Sequence, residues 1–380
     1  MGFDLSWLLL LIPVVFALGW WASRLDRRQA RGDPREAAAP YFKGLNLLLN
    51  EQQDKAIDAF IEAVQIDPDT VELHFALGNL FRRRGETERA VRVHEHLLQR
   101  GDLAQADRLR AQHALAQDFF KAGLFDRAEA AYQALRGSAY ELEANLALLS
   151  LYERSRDWAQ ADAAAQQLEA RGTGSFATRR AQYLCEQALS ARQRGANEAA
   201  LDLLRQAQRV AAAHPRAHVL QGQWLLADGQ GEAALQVFET LQTLAPGAFN
   251  LVAADYARAA QAQAAVPRAT RHLLEHHAQS PSLALLGALG SLDPAGHAAR
   301  LAAYLQQQPS LNAARELLEP LLHQHLPQAA PDLLRALDSA ARPLLRHRCA
   351  ACGFESAHYF WQCPGCLSWD SFPPIPVEGL

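Results

Sequence analysis

Residues 41–68, YFKGLNLLLNEQQDKAIDAFIEAVQIDP, decide the fold of this chain of 380 residues. The small residues Gly44 and Ala56 stand among apolar positions three or four apart, and that period predicts two amphipathic helices. Residues 72–99, ELHFALGNLFRRRGETERAVRVHEHLLQ, repeat the arrangement with Ala90 in the place of Ala56. One short helix pair cannot bury its own apolar face, so the repetition predicts successive pairs that stack on one another.

The pattern recurs with an alanine in the second helix of each pair, where two helices must approach closely. These alanines are Ala56, Ala90, Ala128, Ala161, Ala200 and Ala234. Their separations are 34, 38, 33, 39 and 34 residues. Together with the small and aromatic positions around them, this period resembles the tetratricopeptide repeat (TPR) over residues 37–246. Repeats of that family bind protein segments in a groove lined by the first helix of each pair.

Beyond residue 246 the pattern weakens but does not stop. A seventh repeat fits through Ala269 and Pro281, and degenerate eighth and ninth units fit residues 297–310 and 331–346. Strand-like alternation is absent from residues 40–345. We therefore predict an all-α fold, a TPR superhelical solenoid over residues 40–345, with about six clear repeats to residue 246 and up to nine in all.

The N-terminal segment predicts how the chain is anchored. Residues 5–22, LSWLLLLIPVVFALGWWA, carry no charge, and eighteen helical residues span about 27 Å, close to the thickness of a bilayer core. Arg24, Arg27, Arg28 and Arg31 follow directly after this segment. The positive-inside rule then predicts a single transmembrane helix, a short periplasmic N-terminus at residues 1–4 and a basic cytoplasmic tether at residues 23–39. A cleaved signal peptide and a buried core helix are the alternatives.

Composition limits the classes of partner. The formal net charge is −4, and 49% of the residues are hydrophobic against 21% charged. These values are typical of a folded chain and argue against nucleic acid as a partner. Four of the five cysteines lie in two tight pairs near the C-terminus. That distribution is unlike a secreted disulfide framework and agrees with a reducing compartment.

The paired cysteines predict a metal site in a domain at residues 346–380. Cys349 and Cys352 form one CxxC pair, Cys363 and Cys366 form another, and ten residues separate the pairs. Two such turns point four thiolates at one centre and complete a tetrahedral sulfur site for zinc or for a single iron. So small a domain folds through its metal, so we expect a structural role, with redox chemistry as the less favoured alternative.

The same domain contains more aromatic residues than it can bury alone. They are Phe354, Tyr359, Phe360, Trp361, Trp369 and Phe372. We expect some of them to pack on the last helices of the array, and others to form an exposed patch for a partner.

Other polar groups favour ordinary structural roles. Asn79 with the run 82–84 could clamp a carboxylate, but a solvated charged face is the preferred interpretation. The histidines at 94, 96, 276, 277, 323 and 325 are predicted to be solvated, and Cys185 to be a small core residue. The sequence contains no phosphate-binding loop, nucleophile elbow or paired-carboxylate motif, so we expect no enzymatic activity.

The order of these parts resembles one family along the whole chain. An N-terminal anchor, a basic tether, many TPR units and the tail RCAACGFESAHYFWQCPGC are together similar to the lipopolysaccharide assembly protein B family. The resemblance implies that residues 349, 352, 363 and 366 are ligands in a rubredoxin-type domain, with iron as the usual metal. It also implies an adaptor on the cytoplasmic side of the cell inner membrane. There the family promotes proteolysis, by the membrane protease FtsH, of the deacetylase committed to lipid A synthesis, and it gathers other lipopolysaccharide assembly proteins.

Two other functions stay open on the residues alone. A membrane-tethered TPR scaffold could serve another envelope process, such as secretion or cell-wall assembly. A rubredoxin-like redox protein is the third possibility, because an iron site with four sulfur ligands can carry an electron.

Overall fold

The computed structural model describes Phe16, Trp20, Trp21 and residues 34–67 and 69–379. The three aromatic residues are helical and their side chains are exposed. The rest of the predicted anchor, the N-terminal residues 1–4 and most of the predicted tether lie outside the described residues. Within the described part of the chain, no helix combines the length and the apolar character that a membrane crossing needs.

The chain divides into two compact units, and the first ends at Arg156. In its described residues, seven helices follow one another with short connections. They are α1 (Pro34–Leu49), α2 (Gln53–Ile66), α3 (Val71–Arg84), α4 (Thr87–Gln99), α5 (Gln105–Lys121), α6 (Phe125–Gln133) and α7 (Glu141–Ser155). Helix α1 begins within residues 23–39, the segment that the sequence assigns to the tether.

The second unit runs from Asp157 to Leu380. Its helices are α8 (Trp158–Ala170), α9 (Ala177–Gln193), α10 (Asn197–Val210), α11 (Pro215–Ala227), α12 (Gly231–Leu244), α13 (Ala253–Ala262), α14 (Val266–Gln279), α15 (Leu283–Leu292), α16 (His297–Gln307), α17 (Leu311–His325) and α18 (Ala330–Ala341). Short 3-10 helices occupy Pro246–Leu251 and Arg342–Leu345. In the described residues of 40–345 there is no strand, which confirms the all-α prediction for this part.

The repeat alanines lie where the period predicts them. All six are fully buried, and they occupy the even-numbered helices α2, α4, α6, α8, α10 and α12. The glycines of the first helices allow the same close approach, because a Cβ atom on Gly222 would lie 2.2 Å from the ring of Phe238. Small residues therefore set the spacing within each helix pair. These contacts confirm the predicted TPR fold within each unit.

Two of the histidines expected in solvent are buried instead. His94 on α4 is fully buried, and its Nδ1 lies 2.5 Å from Oδ2 of Asp118 on α5. Arg82 donates a 2.8 Å hydrogen bond to the other oxygen of the same carboxylate. His276 is also buried, and burial lowers its pKa. The solvated prediction was wrong for both, because each imidazole faces a neighbouring helix.

Arg82 is thus partly buried and paired within the protein, and it does not form a clamp for an external carboxylate. Besides binding Asp118, it donates to Oδ1 of Asn79 at 2.5 Å and to the carbonyl oxygen of Ala114 at 3.1 Å. Arg84 pairs with Glu86 at 2.9 Å. Cys185 on α9 is a buried core residue, as predicted, and burial raises the pKa of its thiol to about 12.

The C-terminal residues form a small module built on a two-stranded antiparallel sheet. Strand β1 (His347–Arg348) pairs with β2 (Glu355–Ser356), and His347 stands opposite Ser356. An isolated bridge between Gln362 and Trp369 closes a second loop. The module is therefore two adjacent turns held by very little backbone pairing.

Candidate metal centre

Each cysteine pair lies in the same kind of turn. In the first, the amide of Gly353 donates to the carbonyl of Cys349 at 2.9 Å, and Gly353 has a φ of 78°. In the second, the amide of Leu367 donates to the carbonyl of Cys363 at 2.8 Å, and Leu367 has a φ of 59°. In both turns, the residue that follows the second cysteine of the pair has a left-handed backbone conformation, which reverses the chain. Glycine fits that backbone without strain, whereas Leu367 does not.

The two turns bring the four sulfur atoms together. All four Sγ atoms lie within 4.8 Å of one another. Across the turns, the Sγ atoms of Cys349 and Cys366 are 3.8 Å apart, and those of Cys352 and Cys363 are 3.7 Å apart. A tetrahedron with metal–sulfur bonds of about 2.3 Å has edges of roughly 3.8 Å. The donor set therefore fits one tetrahedral ion, and a four-cysteine metal-binding site is present.

The surroundings favour thiolate at two of the four positions. Burial raises the pKa of the Cys349 thiol, but hydrogen bonds with Ser371 and nearby backbone amides outweigh it and bring the pKa down to about 6. Hydrogen bonds with the hydroxyl and amide of Ser368 lower the pKa of Cys366. Thiolates are the form that binds zinc or iron, so Cys349 and Cys366 favour the ligand form before any ion binds. At Cys352 the amide of Phe354 lowers the pKa, but burial and the other thiols outweigh it and raise the pKa to about 12.

The module packs against the first helices of the second unit through Trp369. Its indole meets the ring of Trp158 on α8 edge-on, with centroids 5.8 Å apart, and the ring of Tyr183 on α9 at 6.4 Å. Trp158 and Tyr183 stack on each other at 6.0 Å. Edge-to-face pairs of this kind stabilise a contact beyond the area they bury. The loop that holds Cys363 and Cys366 is thereby fixed to α8 and α9.

Arg216 on α11 joins this contact to a second aromatic ring. Its guanidinium carbon lies 5.7 Å from the ring centroid of Trp369 and 5.8 Å from that of Trp361. The same guanidinium donates to Oε1 of Gln182 at 2.7 Å and to Oε1 of Glu186 at 2.5 Å. Because the side chain is buried and its charge is paired, it can hold two indoles while linking α9 to α11.

A carboxylate of the module completes the contact. Oδ1 of Asp370 accepts a 2.6 Å hydrogen bond from Nε2 of Gln182 and lies 3.4 Å from Nε2 of His214. His214 also lies beside Trp361, with ring centroids 6.2 Å apart. The module thus contacts polar side chains of the array through the Asp370 carboxylate and through the indoles of Trp361 and Trp369.

The tail after the module has its own attachment. Oε1 of Glu378 accepts hydrogen bonds from the backbone amides of Leu311 and Asn312 at 2.6 and 3.1 Å. Its Oε2 accepts one from Nδ2 of Asn312 at 2.7 Å. These amides open helix α17, where a negative charge is stabilised by the helix dipole. The amide of Val377 also donates to the carbonyl of Arg346 at 2.8 Å.

The prediction that some of the aromatic residues pack on the array is confirmed, but the predicted place was wrong. Trp361 and Trp369 do pack on the array, but they contact α8, α9 and α11 rather than its last helices. Phe354 remains 40% exposed. Sequence reasoning missed Gln182, His214 and Arg216, which lie on first helices or just before them. In the sequence, they could be noticed only as polar residues on or next to the first helix of a repeat, the helix that lines the groove of a TPR array.

Two family models match parts of the chain. The rubredoxin metal-binding domain matches residues 347–374. The TPR repeat matches residues 44–92. Among solved structures, a tetratricopeptide repeat protein from Parabacteroides merdae ATCC 43184 aligns with a TM-score of 0.34 and 14% identity, over 68% of this chain and 99% of that chain.

Named relatives are similar over nearly the whole length. Lipopolysaccharide assembly protein B of Escherichia coli (strain K12) is 29% identical over 388 residues, which cover 99% of this chain and 100% of that protein. The protein of the same name from Haemophilus influenzae is 27% identical over 387 residues, covering 97% of this chain and 98% of that protein. The resemblance of this sequence to the lipopolysaccharide assembly protein B family is therefore confirmed over nearly its full length.

Proposed function

We propose that this chain is an inner-membrane adaptor that regulates lipopolysaccharide synthesis and is not an enzyme. Residues 5–22 cross the membrane once, residues 1–4 face the periplasm, and the tether at residues 23–39 leads into the cytoplasm. The TPR array at residues 40–345 and the metal domain at residues 346–380 lie on the cytoplasmic side. The full-length similarity to proteins named lipopolysaccharide assembly protein B carries this proposal.

The adaptor brings a protease and its client together. By resemblance, the protease is FtsH and the client is the deacetylase of the lipid A pathway, with other lipopolysaccharide assembly proteins gathered at the same place. Anchoring confines the repeats to a thin layer beside the bilayer, which raises their effective concentration against membrane partners. TPR arrays present extended surfaces to protein segments, and this supports a role in binding rather than in chemistry.

The metal has a structural role in this proposal. Cys349, Cys352, Cys363 and Cys366 hold one ion, with iron favoured by the family resemblance and zinc as the alternative. When bound, the ion cross-links the two turns, so that Trp369 and Asp370 are presented to α9. Metal analysis of protein purified under reducing conditions, with its visible spectrum, tests this assignment. One coloured iron per chain is expected, whereas a chain without any metal would contradict the proposal.

Crosslinking in native membranes, followed by identification of the captured proteins, tests the adaptor function. We expect the full chain to capture FtsH and the deacetylase, and a chain that lacks residues 5–22 to capture far less of both. Capture of secretion or cell-wall proteins in their place would favour the alternative scaffold. A redox partner captured together with a reversible iron potential would favour the rubredoxin-like alternative.

A further inference from the structure

The tail that follows the metal module forms one wall of a partly open cavity of about 300 Å³. Helix α15 contributes Leu283 and Ala284 to its wall, and the 3-10 helix at Arg342–Leu345 contributes Leu345. The tail closes the other side with Pro374 and Ile375. An apolar cavity of about 150 Å³ is already large enough to bind benzene, and ligand sites begin at about 300 Å³. This space is therefore large enough for a small apolar molecule.

One polar side chain in the wall has no partner of its own. Tyr304 on α16 lines the cavity and is 6% exposed. In the described part of the chain, its hydroxyl has no hydrogen-bond partner. Burial raises the pKa of this phenol, and the charge of Glu378 adds to the effect, so the group stays a neutral donor. A ligand oxygen in the cavity can accept this hydrogen bond in place of water.

The other polar side chains of the cavity wall already form hydrogen bonds within the protein. The hydroxyl of Ser282 donates to Oδ1 of Asn250 at 2.5 Å and accepts from the amide of Leu285 at 3.2 Å. Both oxygens of Glu378 are held by the start of α17. The negative charge of Glu378 at the wall disfavours an anionic ligand. Because the carboxylate already accepts hydrogen bonds from Leu311 and Asn312, it attracts a cationic ligand only weakly. The remaining wall is apolar, so an uncharged ligand fits best.

We propose that this cavity binds a small neutral molecule, largely apolar, with one oxygen that accepts a hydrogen bond from Tyr304. The inference is independent of the adaptor function, because it rests on the cavity and its wall alone. A bound ligand would touch both α15 and the tail, and would therefore hold the tail against the array.

Three probes with the same ring system test the proposed chemistry: 2-naphthol, naphthalene and 2-naphthoate. The full chain in lipid nanodiscs is dialysed against each probe, and saturable binding is separated from linear partition into lipid. We expect one 2-naphthol per chain, weaker binding of naphthalene and no saturable binding of 2-naphthoate. Tyr304→Phe should weaken 2-naphthol roughly five-fold, the effect of one neutral hydrogen bond, and leave naphthalene unchanged.

A matched pair of variants locates the site. Ala284→Phe places a ring on a residue that lines the cavity, and Gly287→Phe places one on the same helix where the space is open. Circular dichroism checks that both are folded. Loss of binding in Ala284→Phe alone is the expected result. Equal binding by both variants, 2-naphthoate that binds as tightly as 2-naphthol, or no saturable binding at all would each overturn the proposal.

Discussion

The Asp370 carboxylate accepts a 2.6 Å hydrogen bond from Gln182, a residue 188 positions earlier in the chain. Gln182 is fully buried, whereas the side chain of Asp370 is about a third exposed. This hydrogen bond therefore connects the metal module to a fully buried side chain of the second unit. Because Asp370 follows Cys366 by only four residues, the shape of the second cysteine turn decides whether this contact can form.

Replacing Asp370 should loosen the module without removing its metal. Asp370→Ala deletes the acceptor for Gln182 and should cost about 1–2 kcal/mol of docking free energy, or about a ten-fold rise in the undocked fraction. Limited proteolysis near Arg346 measures that fraction, and metal analysis measures the site. Asp332→Ala, at an exposed position on α18, is the control. Equal cleavage of the two variants would show that the contact does not hold the module.

Removing two ligands should undo both the module and its docking. Cys363→Ser with Cys366→Ser leaves too few thiolates for a tetrahedral ion, and a unit this small folds only through its metal. We expect loss of the metal and rapid amide exchange in the module, with α9 less protected beside it. Cys185→Ala changes a cysteine outside the site and should keep the full metal content. A double variant that stays docked without metal would contradict the proposed structural role.

The carboxylate of Asp118 should be essential to the first unit. It is fully buried and pairs with both His94 and Arg82. Asp118→Ala leaves those two groups buried without their partner, which typically costs about 3–5 kcal/mol. Urea unfolding measures the loss, and Asp126→Ala at an exposed position of α6 is the control. A loss below about 1 kcal/mol would show that water or a shifted side chain replaces the carboxylate.

Close packing between first and second helices should make Gly222 intolerant of a side chain. In Gly222→Ala the new methyl group would lie 2.2 Å from the buried ring of Phe238. Overpacking of this kind typically costs about 1–3 kcal/mol. Gly287→Ala, also within a helix, has open space around the new methyl and should be neutral or slightly stabilising. Equal unfolding free energies for the two variants would contradict this packing account.

The repeat could be predicted from the sequence because its signal is local and repeated. Ala56 and Ala234 occupy equivalent places in two helix pairs, and each is buried by contacts that the period alone implies. The cysteine site was equally open to prediction, since two CxxC turns leave few other geometries. The contact between the metal module and the array could not be predicted, because the pairing of Asp370 with Gln182 joins residues that are 188 positions apart in the chain. His94 was missed because its acidic partner lies on another helix, 24 residues further along the chain.

The half-life of the lipid A pathway deacetylase, measured in living cells after protein synthesis is stopped, tests the central claim most directly. Cells that express this chain are compared with cells that lack it and with cells that express the Cys363→Ser, Cys366→Ser variant. The adaptor account predicts rapid loss of the deacetylase with the intact chain and a several-fold longer half-life in the other two. The same half-life in all three cell lines, with FtsH present and active, would contradict it.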